Sequence, residues 1–390
     1  MQPADRIASF GAYFFAQLGK RIAALRAEGR DIIRIDIGAP DLPPPDFVVE
    51  SMIASARRPD THSYTAYGGT PAFKRAVAAY YQKRFGVGLD PATEVLGLIG
   101  SKEGLFHLAQ AVVNPGDVVL VPDPGYPTYR AGTRLAGGEL YFMPLLRENG
   151  FLPDLNAIPE EVLLRAKILW LDYPNNPTAA VAPFSFFEKA VAFAREHDIL
   201  LAHDAPYVDV TYDGYQAPSL MQVPGAKEVA VEFNSLSKAF NMAGWRLGMM
   251  VGHPDVVRYV HVYKSQVDTS QFLPVLQGGI TALTDERVWP WVAERNAIYQ
   301  ERRDIVVGAL RQTGIDVDMP KASLYVWFPL PHGETDSKAF CERALMEAGV
   351  SMTPGVVFGP HGEGYVRVSL GTATDKMRLA MERLVAWLTK

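Results

Sequence analysis

Short apolar runs alternate with longer amphipathic stretches along the chain, and the two periods separate strands from helices. Val95-Leu-Gly-Leu-Ile-Gly100, Asp117-Val-Val-Leu-Val121, Lys167-Ile-Leu-Trp-Leu-Asp172, Ile199-Leu-Leu-Ala-His-Asp204 and Glu228-Val-Ala-Val-Glu-Phe233 read as buried strands bounded by turn residues. Helical spacing fills the gaps between them. One helix follows Thr70 as N-cap and Pro71 at its first position, with Phe73, Val77 and Tyr80 on its buried face. A second opens at Ser101 with Leu105, Leu108, Ala109 and Val112 on one side, and a third spans about 183–196. This alternation from about 45 to 270 predicts an α/β fold with a mainly parallel sheet covered on both faces. The ends differ. Residues 5–28 read as an amphipathic helix stopping at Gly29, and Ile32-Ile-Arg-Ile-Asp-Ile37 alternates like a strand. Beyond 280 come long helices, among them Ser337 to Ala348 and 375–388, and a strand at Val366-Arg-Val-Ser-Leu370. The predicted division is a large domain over 45–279 and a smaller α+β domain built from 1–44 and 280–390.

Composition narrows the function without choosing it. A chain of 390 residues exceeds one small core and suits two domains. Its 48% apolar and 21% charged residues are ordinary for a soluble globular protein. A net charge of −5 leaves no basic field for nucleic acid or an anionic membrane. Cys341 is the one cysteine, so no intrachain disulfide forms, which points to a reducing compartment. Within the 337–348 helix it reads as packing rather than as a nucleophile. The stretch Met1 to Arg26 mixes charges with Phe10, Tyr13, Phe14 and Leu18 and lacks the apolar core of a signal peptide. No run reaches membrane-span length, so a cytoplasmic protein is expected. No Gly-x-Gly-x-x-Gly follows a strand, and the eight histidines fall outside metal-ligand spacing, so neither a dinucleotide nor a metal is expected.

The chemistry concentrates at Asn234-Ser-Leu-Ser-Lys-Ala-Phe-Asn-Met-Ala-Gly-Trp-Arg246, just past a strand. Lys238 lies there between hydroxyl residues, Ser235 and Ser237, and Arg246, whose planar fork suits a phosphate. Gly244 lets backbone approach a ligand closely. An amine beside a phosphate site is what holding a phosphorylated aldehyde as an imine requires. A second anion cradle is the strand–Gly100–Ser101–helix junction, with free N–H groups and a positive dipole end. Asp204, delivered at the end of an apolar strand, lies at the ligand edge of an open α/β sheet.

Ser-x-Ser-Lys followed eight residues later by Arg resembles the cofactor-lysine signature of the class I and II pyridoxal-phosphate aminotransferases of fold type I. Further stretches from about Gly38 to Arg367 match that family in order. The resemblance implies a large domain with a seven-stranded sheet and pyridoxal phosphate bound through Lys238. Ser101, Lys102, Ser235, Ser237 and Arg246 would hold its phosphate end. Tyr126, in Asp123-Pro-Gly-Tyr-Pro-Thr-Tyr129, would stack on its ring, and Asp204 would pair with its ring nitrogen. Tyr207 and Asn176 would meet its phenolate oxygen; after the Asn-Pro-Thr triplet, Ala179 stands where the family has glycine. Tyr64 would reach the cofactor phosphate of a second subunit, which implies a homodimer with shared sites. Arg367, Asn176 and the Gly38 backbone would hold the substrate carboxylate. The implied reaction moves an amino group from an L-amino acid, of aspartate, alanine or LL-diaminopimelate type, to a 2-oxo acid in two half-reactions. A lyase or decarboxylase on the same scaffold shares these residues, because the cofactor carries the hard chemistry. A non-catalytic cofactor-binding regulator is a third reading, which the full polar cradle around Lys238 opposes.

Overall fold

The computed structural model describes residues 2–8, 10–11 and 14–390. Seven strands share one sheet in the spatial order Val95–Leu98, Gly248–Gly252, Ala230–Ser235, Leu200–Asp204, Ala166–Asp172, Val118–Asp123 and Glu139–Pro144. The last five in that list pair in parallel. Gly248–Gly252 runs antiparallel to both of its neighbours. The reversal has a local cause. The parallel neighbours are joined by long crossovers, a helix such as Phe184–Glu196 or the extended connection over 205–229, whereas the short return over 236–247 holds one helical turn, Leu236–Ala239, and a 3₁₀ turn. That return loop carries Lys238 immediately beyond the end of a central strand. The sheet is mostly buried on both faces, which is why its strands read as continuous apolar runs.

Two large hydrophobic cores cover different parts of the chain. One gathers Phe73, Val77, Leu120, Leu169, Leu201 and Met249 around the sheet. Another gathers Ile33, Ile35, Val326, Phe328, Val366, Val368, Met377 and Leu384, and so joins the N-terminal and C-terminal segments. The helix Leu273–Thr284 packs Leu276, Ala282 and Leu283 into the first, as do Val288 and Val292. The expected division at 280 therefore falls inside a helix, and the change of core comes along Val288–Gln312, whose Val306, Val307 and Leu310 join the second. Tyr207 and Ala179 also belong to the second core, so the two meet beside the sheet's carboxyl edge.

Two local expectations are corrected. The helix expected over 5–28 is two pieces, Asp5–Ala8 and Phe14–Ala27, separated by a stretch containing Gly11, a poor helix former. Tyr13 and positions 9 and 12 lie outside the described residues. The strand expected over 32–37 is only Ile33–Arg34, paired with Val350–Ser351, because its partner is equally short. The 337–348 helix keeps its expected bounds, running as α over Ser337–Arg343 and widening to a π-turn over Ala344–Ala348 closed by Gly349 at φ 68°. Among the described residues no helix is long and apolar enough to cross a membrane.

Candidate active site

A cavity of 420 Å³ opens at the carboxyl ends of the central strands. Parallel pairing sets its floor: Asp172 and Asp204 are register partners, and Asp204 is in turn opposite Phe233, two residues before Ser235. Ser101, Lys102, Tyr126, Asn176, Tyr207, Ser235, Ser237, Lys238, Arg246, Gly38 and Arg367 all line the same space. Thus twelve residues singled out from sequence, Asp204 included, converge on one cavity, although they span positions 38 to 367. Tyr64 does not. Its side chain is 90% exposed on the surface of the chain.

At one end the helix Ser101–Val112 points its N-terminus inward behind Gly100, at φ 73°. A Cβ on Gly100 would lie 2.4 Å from Arg246 Nη2, so glycine is needed for both conformation and space. Arg246 itself adopts a left-handed backbone at φ 55°, and its Nη1 donates to Ala243 O at 2.9 Å. The Ser235 hydroxyl accepts from Ser237 N–H at 3.2 Å. Glu103 fixes this end from outside by accepting from Ile99 N–H and, at 2.7 Å, from the buried Lys264 ammonium. Lys264 also donates to Asp268 at 2.6 Å. Glu103, His107 and Asp268 are the group of metal-ligand type among the described residues, and an ammonium sits within it.

In the middle, Lys238 Nζ donates to Gly38 O at 2.6 Å. Burial, then the nearby Arg367 and Arg246 charges, lower its pKa to about 8. Asp204 accepts from the Tyr129 hydroxyl at 2.8 Å through Oδ2, while its buried Oδ1 has no partner. Tyr207 shares a 2.6 Å hydrogen bond with Tyr325, and burial holds its phenol far above the usual range, so it stays protonated. Tyr126 forms part of the wall, edge-on to Tyr129 at 5.9 Å.

At the far end Arg367 is 3% exposed, fixed by Nη1 to Asn176 Oδ1 at 2.9 Å and Nη2 to Asp36 O at 3.0 Å. Its guanidinium lies 4.2 Å from the Tyr325 ring centre and 4.7 Å from that of Phe358. Arg34, clamped by Asp36 through two hydrogen bonds of 3.1 and 2.6 Å, also lines this end. Ala179 occupies its turn at φ 59° and still donates to Asn175 O at 3.0 Å, so alanine bears the conformation expected of glycine. Sequence reasoning passed over Asp172, Tyr129 and Tyr325. Asp172 carries the same signal as Asp204, an acid ending an apolar strand, whereas nothing local marks Tyr325.

Residues 30–384 match the family model for aminotransferase class I and II. The chain belongs to that family. This aminotransferase is 50% identical over 384 residues to the LL-diaminopimelate aminotransferase of Moorella thermoacetica, covering 98% of both chains. It is 48% identical over 381 residues to the same-named enzyme of Syntrophobacter fumaroxidans, covering 98% of this chain and 97% of the other. Among solved structures it resembles substrate-bound BacF from Bacillus subtilis, with TM-score 0.95 at 36% identity, covering 99% and 98% of the two chains. Class I and II aminotransferases depend on pyridoxal phosphate, and so does this one. The residues present fit that cofactor. An unpartnered buried carboxylate oxygen, an amine with lowered pKa and an arginine over a glycine-lined helix end occupy one cavity.

Proposed function

We propose that this pyridoxal-phosphate aminotransferase takes its amino group from LL-diaminopimelate and passes it to a 2-oxo acid such as 2-oxoglutarate. The observation that carries the reaction is Lys238, a buried amine of pKa about 8 set between Asp204, Arg246 and Arg367 in one cavity. Support for the donor comes from relatives so named, at 45–50% identity over nearly the whole chain. Arg34 adds a second cation at the Arg367 end, suited to a carboxylate remote from the reacting carbon.

When bound, pyridoxal phosphate supplies an electron sink that makes the α-hydrogen of an amino acid acidic. Lys102 and Arg246 would neutralise the phosphate, and Ser101, Ser235 and Ser237 would hydrogen-bond it. Tyr126 would cover the ring, Asp204 would hold the proton on the ring nitrogen, and Tyr207 with Asn176 would bond the phenolate oxygen. Arg367 takes the substrate α-carboxylate, helped by Asn176 and the Gly38 backbone, each charge-assisted bond contributing roughly 1.5–3 kcal/mol. Lys238 Nζ, half free base near pH 8 and mostly so above it, would take up the α-proton and give it back. The aminotransferase is further proposed to be a cytoplasmic homodimer, with Tyr64 completing the neighbour's phosphate site. Its proposed domains are a sheet domain and a smaller one built from both chain ends, with the boundary expected at 280 moved into the helix Val288–Gln312, where the core changes.

Purified enzyme assayed with LL-diaminopimelate, aspartate and alanine against 2-oxoglutarate and pyruvate tests the reading. LL-diaminopimelate with 2-oxoglutarate should give the highest kcat/KM. A preference for aspartate or alanine would reject the donor but keep the reaction. Release of ammonia or carbon dioxide without any new amino acid would reject transamination.

A further inference from the structure

The reaction as described uses one buried carboxylate, yet the cavity floor holds two. Asp172 and Asp204 end adjacent parallel strands and are register partners, so their side chains project to the same face, from backbones roughly 5 Å apart. Both line the cavity, at 2% and 4% exposure. Each keeps its Oδ1 without a partner. What bonds they have are few. Asn176 N–H donates to Asp172 Oδ2 at 3.3 Å, and the Tyr129 hydroxyl donates to Asp204 Oδ2 at 2.8 Å.

Lys238, Arg246 and Arg367 line the same cavity, but the bonds to the two carboxylates come from neutral groups. Tyr129 faces the pair from the helix Pro127–Ala136, and Tyr173 adjoins Asp172 on its own chain. Tyr207 and Tyr325 face it across the cavity. His203, beside Asp204, turns away to Glu232 at 2.9 Å and Tyr173 O at 3.0 Å. No lysine or arginine is hydrogen-bonded to either carboxylate among the described residues.

We propose that Asp172 and Asp204 form an acid–carboxylate dyad that binds a single proton, with Asp172 carrying it and Asp204 remaining the anion. Two adjacent buried carboxylates bonded only by neutral donors share one proton at neutral pH rather than ionising together. Burial, then the neighbouring Asp204 charge, holds Asp172 well above the carboxylate range; burial raises Asp204 as well, but only to about 6, because the Tyr129 hydrogen bond and His203 oppose it. One proton from solvent therefore leaves the pair with a charge of minus one. Asp172 is thus a positioning residue: it acts through Asp204, limiting the negative charge that faces the cofactor ring. The role of that charge rests on the pyridoxal-phosphate reading; the dyad itself does not.

Infrared difference spectroscopy of the cofactor-free protein with carbon-13-labelled aspartate detects a protonated carboxyl directly. Wild type should show one such aspartate at pH 7, and Asp172→Asn, which keeps the shape and can donate to Asp204, should lack it. After loading with pyridoxal phosphate, the visible band of Asp172→Asn should titrate with a midpoint different from that of wild type. A wild type with no protonated aspartate at pH 7, or a signal unchanged in Asp172→Asn, overturns the dyad. Should the variant fail to fold, the pH titration of the wild-type infrared band decides alone: a midpoint inside the ordinary carboxylate range rejects the proposal. A dyad signal in a protein that never develops a visible band with pyridoxal phosphate would reject the cofactor reading and leave the dyad standing.

Discussion

At Lys238, burial and two arginines act in the same direction, since each disfavours a positive charge on Nζ. Below about pH 8 the amine is mostly an ammonium, above it mostly the free base. Competitive acetylation of the cofactor-free enzyme should therefore show Lys238 reactivity rising with a midpoint near 8, and Arg246→Met should move that midpoint upward. A midpoint near the ordinary 10.5 would show that the amine is more solvated than its surroundings imply. The linked stability effect has a definite sign. A lowered folded-state pKa means the unfolded chain binds more protons between about 8 and 10.5, so this residue adds stability as pH rises through that window. Arg367 is the second test. Its two terminal nitrogens are fixed by Asn176 and Asp36 O, a geometry that a lysine point charge cannot reproduce. Arg367→Lys should fold normally and lose roughly 10- to 100-fold in kcat/KM for every amino donor, the equivalent of about one charge-assisted bond. Steady-state kinetics on two donors checks it; a loss confined to one donor would place Arg367 on the side chain rather than the α-carboxylate.

Among the elements, the junction between the strand Val95–Leu98 and the helix Ser101–Val112 is the most demanding. Gly100→Ala meets two obstacles, a left-handed φ of 73° and a collision with Arg246 Nη2. Gly86→Ala meets only the first, for at φ 70° its Cβ has open space. Both variants should lose stability by about 1 kcal/mol from the backbone alone. Only Gly100→Ala should also weaken pyridoxal phosphate, by at least about tenfold, because Arg246 is pushed off the helix end. Equal affinities in the two variants, by fluorescence titration, would remove Arg246 from the phosphate site. This same junction was legible in the sequence: an apolar run, a glycine and a serine opening an amphipathic helix state the geometry outright. Asp204 was legible by the same logic. Asp172 obeyed the rule equally well, but the Asn-Pro-Thr triplet four residues later drew the attention to Asn176. Tyr325 carried no local signal, since its bond to Tyr207 joins residues 118 apart. The helix over 5–28 failed because period alone does not register a glycine break, and Ala179 shows that alanine tolerates a turn that pattern reserves for glycine.

On the scale of the molecule, the pairing of both chain ends in one core was legible because each end carries its own strand and amphipathic helices. The division at 280 was not, because an apolar helix face says that it packs but not against which core. Tyr64 is legible only through an assembly. Its segment is anchored: Thr65 Oγ1 donates to Gln271 O at 2.9 Å, and Gly97 N–H donates to Gly68 O at 2.7 Å. The Tyr64 ring itself stands in solvent, and nearby Phe272, in ring contact with His62 at 5.5 Å, is 45% exposed. A rigid base under exposed aromatic rings is what a docking face presents. If a second chain of 42.9 kDa covers it and receives Tyr64, each site draws on two chains. Sedimentation should then give a dimer, and Lys238→Ala chains should be inactive while Tyr64→Ala chains bind cofactor weakly. Mixed, unfolded and refolded together, the two should regain activity. Every hybrid dimer holds one site with Lys238 from one chain and Tyr64 from the other, and one site lacking both. No gain over Tyr64→Ala alone, or full activity in a monomer, would mean that Tyr64 serves no neighbouring site.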